Sequence, residues 1–220
     1  NEKLSELICA DVSVSGVGNR IPLVLSDCEP VLPHRLASAS TFTNHPGADF
    51  HALKCIASNA LMAQPDESGL ARMPYPSGGA LYSVLTFACR TSAASNGWPS
   101  EDTAFQLQPF TRAFESINVN AAPEELLDAL CGGATAQLGS PAFALVYAVH
   151  IDRALFKYRY RGYRVALMEV GAMYQRVTAE VQARGLKTRV WAGFSDYRVA
   201  SVLGLDATHV LPMVVQFIGG

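Results

Sequence analysis

Apolar positions along the chain fall into runs whose period names the element each builds. Phe50, Leu53, Ile56, Ala57, Ala60 and Leu61 recur at three- and four-residue spacing across Ala48 to Ala63, which predicts a short helix closed by Gln64-Pro65. Leu81 to Cys89 is rich in aromatic and aliphatic residues and follows Gly78-Gly79, which predicts a buried strand opened by a tight turn. Ala142 to His150 predicts a second such strand. Between them, Pro123 to Leu130 has Pro at its start, Glu124 and Glu125 in the first turn and Gly132-Gly133 past its end, the punctuation of a helix. A long helix is predicted from about Tyr163 to Arg184, stopped by Gly185 and roughly 30 Å long at 1.5 Å per residue. Val165 to Met173 is apolar or Gly at every position except Glu169, so that half is expected to be buried all round. Arg176, Glu180 and Arg184 then fall on one exposed stripe. A helix buried on every side in so small a protein implies a second subunit against it. Gly171, which costs about 1 kcal/mol of helix propensity relative to Ala, implies close approach of another backbone. A short helix at Asp196 to Leu203 and a last strand at Val210 to Ile218 complete the pattern. Strands interleaved with helices predict an α+β sandwich. Leu32 to Gly47 and Arg90 to Ser100 are turn-rich, so an irregular segment, 1–47, is expected to precede one domain, 48–220. The final Gly219-Gly220 is expected to mark the point where order ends.

Composition narrows the class. Of 220 residues 50% are apolar and 16% charged, enough for a sizeable core, and 17 basic against 19 acidic side chains leave a net charge of -2. That balance gives no global attraction for nucleic acid or anionic lipid. The longest apolar stretches fall well short of the roughly 20 residues that span a bilayer, and no basic leader precedes an apolar run, so a soluble protein without a membrane partner is expected. Five scattered cysteines without a CxxC pair fit a reducing cytoplasm. The five histidines are equally dispersed, so no metal is assigned.

Three segments could carry chemistry. Arg72 to Tyr82, with two prolines followed by Ser77, Gly78 and Gly79, predicts a stiff turn whose N–H groups could hold an anion or a ring carbonyl; a plain connecting turn is the alternative. Five of the twelve residues from Arg153 to Arg164 are basic and four aromatics are interleaved with them. Such a run can stack bases and bind phosphates, although the acidic balance of the chain argues against nucleic acid. An anion-lined pocket, in which Lys157 and Tyr158 take or relay a proton, and a solvated strand edge are the other readings. Arg189 to Asp196 reads as a loop in which Ala192-Gly193 between two aromatics would let a flat ring meet backbone N–H groups.

Together these segments resemble the flavin-dependent nitroreductase superfamily, in its SagB or thiazoline-oxidase branch, and within that the dehydrogenases of microcin B-type synthetases. The likeness rests on Arg72 to Ser83, on ALFKYRYRGYR from Ala154 to Arg164, on ALMEVGAMYQ from Ala166 to Gln175, on GLKTRVWAGFSD from Gly185 to Asp196, and on the final PMVVQFIGG. It implies an α+β fold with a central mixed or antiparallel sheet, a homodimer formed through the long helix, and FMN bound at the subunit interface. The implied flavin site comprises Pro76, Ser77, Gly78 and Gly79 with Trp191, Ala192 and Gly193, and the implied catalytic pair is Lys157 and Tyr158. The RRSxR phosphate motif of ordinary nitroreductases is replaced by Leu36 to Phe42, which leaves Arg72, Arg35 and Arg189 as candidates for the flavin phosphate.

The implied activity is oxidation of peptide thiazolines and oxazolines to thiazoles and oxazoles in the biosynthesis of a microcin-like peptide. The implied partners are a YcaO-type cyclodehydratase, a leader-peptide-binding subunit and the precursor peptide; the turn-rich N-terminal segment, where the resemblance fades, is the expected contact, with a surface arm that only wraps the dimer as the alternative. The alternatives are a nitro or quinone reductase using a nicotinamide cofactor, and a non-catalytic scaffold subunit.

Overall fold

The computed structural model describes residues 36–93, 97–99 and 102–220. The expectations for residues 1–35, including Arg35 and most of the proposed N-terminal contact, lie outside them.

Asp49 starts the first helix, α1 (Phe50–Ala60): its carboxylate accepts from the Ala52 N–H and satisfies one of the donors a helix start leaves open. The helix ends three residues before the expected boundary because Gln64–Pro65 is already strand β1, paired with Ala71–Arg72, β2. After a one-turn 3-10 helix at Gly78–Ala80 the chain enters β3 (Val84–Arg90), β4 (Ala104–Gln108) and β5 (Ala113–Ser116). Helices α2 (Pro123–Cys131) and α3 (Thr135–Leu138) lead to β6 (Phe143–His150). Next come α4 (Ile151–Tyr158), a second 3-10 turn at Arg159–Arg161, and the long α5 (Gly162–Ala183). Strand β7 (Lys187–Trp191), helix α6 (Asp196–Val202) and strand β8 (Val210–Gly219) finish the chain.

The main sheet has six strands in the order β5-β4-β3-β6-β8-β7, every pair antiparallel. Strand β6 lies at its centre and is buried on both faces, so it reads as one continuous apolar run. Its Phe143, Leu145, Tyr147 and Val149 pack with α1 and α5, while Ala144, Val146 and Ala148 pack with α2 and α6. The alternation is that of any strand, here with a core on each side. Between β8 and α5 the core is polar. Gln216 is fully buried, accepts from the Tyr147 hydroxyl at 2.7 Å and donates to Thr178 and Thr188 at 3.0 and 3.1 Å. Satisfied in this way, a buried amide fixes how the helix sits on the sheet.

Three expectations need correction. The apolar half of α5 is not buried all round in a single chain: Leu167 is 41% and Met168 62% exposed, while Glu169, the polar exception, is only 2% exposed. Lys187–Trp191 is a strand at the sheet edge and not part of a loop. Gly219 and Gly220 are both buried; Gly220 exchanges backbone hydrogen bonds with Thr43, and His45 packs where its Cβ would be. Order therefore continues through Gly220.

Candidate active site

The basic, aromatic run is a tight helical hairpin. Helix α4 ends at Tyr158, Arg159 takes a positive φ of 49°, and α5 begins at Gly162. A Cβ on Gly162 would run into the Ala154 carbonyl, so only glycine lets the two helices cross this closely. The hairpin sends Phe156 and Tyr160 outward, 90% and 79% exposed, and returns Lys157 and Tyr158 toward the turn before β3.

That turn is held from below. Ser77 donates its hydroxyl proton to Glu169 Oε2 at 2.5 Å and accepts the Tyr82 N–H at 3.0 Å, while the Val84 N–H donates to Glu169 Oε1 at 3.1 Å. Gly79, Ala80 and Tyr82 all have positive φ, at 61°, 54° and 47°. Ala80 and Tyr82 are non-glycine residues in the left-handed region, a local cost that only surrounding contacts can hold. A Cβ on Gly78 would collide with Val165 of α5, and one on Gly79 would lie 2.5 Å from Lys157 Nζ and 2.7 Å from Tyr158 Oη. The lysine amine and tyrosine hydroxyl therefore converge on a patch of bare backbone. Burial raises the pKa of the Glu169 carboxyl, and hydrogen bonds from Ser77 and Val84 pull against that rise. A cleft of about 470 Å³ opens beside the turn, lined by Ala80, Leu81, Tyr82, Phe110, Arg153 and Phe156 among others.

Not every expected residue joins this cluster. Arg72 pairs with Asp66 at 2.7 Å in the β1–β2 hairpin, and Pro76 leads into the turn. Ser77 spends its side chain on Glu169, so it can meet a ligand only through its backbone. Arg189, Trp191, Ala192 and Gly193 form a second group at the sheet edge. Arg189 donates to the Ser40 carbonyl at 3.1 Å and stacks 4.7 Å over the Trp191 ring, and the Trp191 indole donates to the Gly193 carbonyl at 3.0 Å. Gly132, at φ 63°, lets that carbonyl sit where a Cβ would be. Trp191 packs with the α2 and α6 core, whereas the turn before β3 stands on the α5 side. In the sheet order β7 is three strands from β3, roughly 14 Å at ~4.8 Å per strand. Sequence reasoning missed the part Glu169 plays. Its signal was a lone carboxylate in an apolar run, which demands buried partners.

A larger cleft of about 760 Å³, lined by Glu124, Asp128, Tyr197 and Arg198 among others, lies between α2 and α6 on the opposite face from the Lys157–Tyr158 pair. Ala80 and Tyr82 of the strained turn line the smaller opening, while Lys157 and Tyr158 converge on Gly79 next to it, outside its lining.

The nitroreductase family model matches residues 38–219, which takes in the whole sheet and both clusters. The chain belongs to the nitroreductase family. Among its relatives, the microcin B17-processing protein McbC of Escherichia coli is 42% identical over 185 residues, 84% of this chain and 67% of that protein. A chain in the E. coli microcin synthetase McbBCD complex with truncated pro-MccB17 bound superposes with a TM-score of 0.89 at 37% identity, covering 100% of this chain and 81% of that one. The NADPH:FMN oxidoreductase of Vibrio harveyi complexed with NAD+ shares the fold, with a TM-score of 0.55, 16% identity and coverage of 84% and 65%. This nitroreductase-family chain thus carries the shared fold together with the turn and helical hairpin described above. Among the described residues no helix is long and apolar enough to cross a membrane.

Proposed function

We propose that this protein is an FMN-dependent azoline dehydrogenase that converts peptide thiazolines and oxazolines to thiazoles and oxazoles. The observation that carries the reading is the convergence of Lys157 Nζ and Tyr158 Oη on the bare backbone of Gly79 in a chain 42% identical to McbC. Aromatising an azoline removes a hydride from one ring carbon and a proton from its neighbour. Flavin, when bound, supplies the hydride acceptor, and molecular oxygen serves as the final oxidant. Lys157 and Tyr158 take or relay the proton, within reach of a ring laid over the turn.

The residues present fit such a group. Gly79 is exposed and presents bare backbone beside the Lys157 amine and the Tyr158 hydroxyl, and Ala192 and Gly193 are exposed next to Trp191, whose ring lies against Gly193. Arg189, already on the Trp191 ring, is the better candidate for the flavin phosphate than Arg72, whose charge is matched by Asp66.

The two clusters sit on different faces of one chain, and we assign them to a site completed by a second copy. Leu167, Met168 and half-buried Gly171, which has no neighbour within 4 Å of its Cβ position, form the apolar face of α5 that the copy would cover. The cleft lined by Phe110 and Phe156 beside the turn would admit the peptide. The wider assembly we propose contains a YcaO-type cyclodehydratase, a leader-peptide-binding subunit and the precursor. Tethering the precursor there raises its local concentration to the millimolar range for a short flexible linker.

Replacing Lys157 with Met, or Tyr158 with Phe, tests the assignment. Each variant should keep its flavin and lose azole formation, read as the loss of 2 Da per ring in the peptide mass. Full activity in the double variant overturns it.

A further inference from the structure

We propose that Glu169 is a positioning residue: through Ser77 and the Val84 amide it ties the turn at Pro76–Tyr82 to α5, so that Gly79 stays beneath the Lys157 amine and the Tyr158 hydroxyl. The inference rests on the function proposed above, and it adds a residue that touches neither the reacting ring nor the flavin.

Glu169 is 2% exposed on a helix whose neighbouring positions are apolar, a placement that costs free energy unless both carboxylate oxygens are matched. Both are matched, and by one stretch of chain. Oε2 accepts from Ser77 and Oε1 from Val84, on either side of Gly79 and the strained residues Ala80 and Tyr82. Ser77 then passes the restraint inward by accepting the Tyr82 N–H. The contact between Oε2 and the serine hydroxyl, at 2.5 Å, has the length of a hydrogen bond to a charged acceptor. The same helix presents Val165 against Gly78, one turn earlier. Helix α5 therefore fixes the turn at two points, and α4, joined to α5 through the crossing at Gly162, brings Lys157 and Tyr158 onto it. Left-handed backbone at Ala80 and Tyr82 would relax toward ordinary conformations if the clamp were removed. Gly79 would then drift from beneath the two side chains.

The decisive variant is Glu169→Gln, which keeps the shape of the side chain and an acceptor for Val84 but removes the charged acceptor from Ser77. Two readouts are taken. In flavin-free protein, amide hydrogen exchange across residues 77–84 should quicken about tenfold or more, while β6 and β8 keep their protection. In the FMN-loaded complex, kcat on an azoline peptide should fall about tenfold or more with KM changed less than about twofold, because the clamp acts on geometry at the reacting centre and not on peptide binding. If Glu169→Gln does not fold, Ser77→Ala loosens the same bond from the other side and should quicken the same amides. Unchanged exchange across 77–84 in the folded variant overturns the proposal, as does an equal rise throughout the sheet. If the wild-type complex turns over no azoline peptide, the functional reading fails, while the exchange result still decides whether Glu169 holds the turn.

Discussion

Gly79 combines two demands that no other residue type meets. Its φ of 61° is left-handed, and its missing side chain leaves space that Lys157 Nζ and Tyr158 Oη approach to 2.5 and 2.7 Å of the would-be Cβ. Gly79→Ala should cost about 1 kcal/mol in the backbone and also displace the lysine amine. We expect a folded protein whose unfolding midpoint in urea falls slightly and whose azole formation falls far more; activity equal to wild type would show that the turn and the amine need not meet. At this scale the sequence was readable in part. Lys157, Tyr158 and the two glycines were singled out, but nothing in their spacing shows that residues 78 positions apart touch. The sequence places Ser77 in the implied flavin site without assigning its hydroxyl, which the structure gives to Glu169. A serine beside glycines has the same appearance in sequence whether it serves a ligand or its own turn.

Elements were legible where one side of them meets a core. Helices α1, α2, α5 and α6 and strands β3, β6 and β8 carry periodic or continuous apolar runs, and their ends fall within a few residues of the capping signals. Helix α4 has Ile151, Ala154, Leu155 and Tyr158 at helical spacing, but only Ala154 is fully buried and the interleaved basic and aromatic residues also fit a strand edge or a pocket wall. Strand β7 gives no strand signal, because an edge strand of five mostly half-covered residues shows little alternation, and its Arg189–Trp191 part resembles the loop that follows. Short β4 and β5 gave no signal apart from the turn-rich stretch before them. The start of α4 is held to His209, just before β8, by the Ile151 N–H donating to the His209 carbonyl at 2.9 Å and by His209 Nδ1 meeting Asp152 at 2.6 Å, and the hydrogen bond to that carboxylate raises the histidine pKa above the ordinary 6.5. A histidine with a raised folded pKa stabilises below its unfolded value, and the contribution is lost as pH rises through the folded value. Asp152→Asn should therefore lower Tm slightly at pH 6 and leave it unchanged at pH 9. A deficit of the same size at both pH values would mean that the pair does not act through charge.

At the scale of the whole molecule, the sequence suggested a second subunit from a helix apolar all round, and the single chain shows which side of α5 remains open. Leu167 and Met168 project from it, and the opposite side carries Val170, Met173 and Val177 into the core. The error was one of count: the helix has one face in its own core and one left over, and composition alone could not divide them. In the proposed dimer, Met168→Glu places a charge in the open face and should give a monomer on a sizing column, with loss of bound flavin, because that proposal draws the cradle from both clusters. A Met168→Glu protein that stays dimeric and yellow would move the subunit contact elsewhere. What reduces the flavin decides the proposed activity. Purified protein, made anaerobic and followed near 450 nm, should be yellow, bleach on addition of an azoline-bearing peptide and stay oxidised with NADPH; a colourless protein, or a yellow one bleached by NADPH and untouched by the peptide, would contradict it.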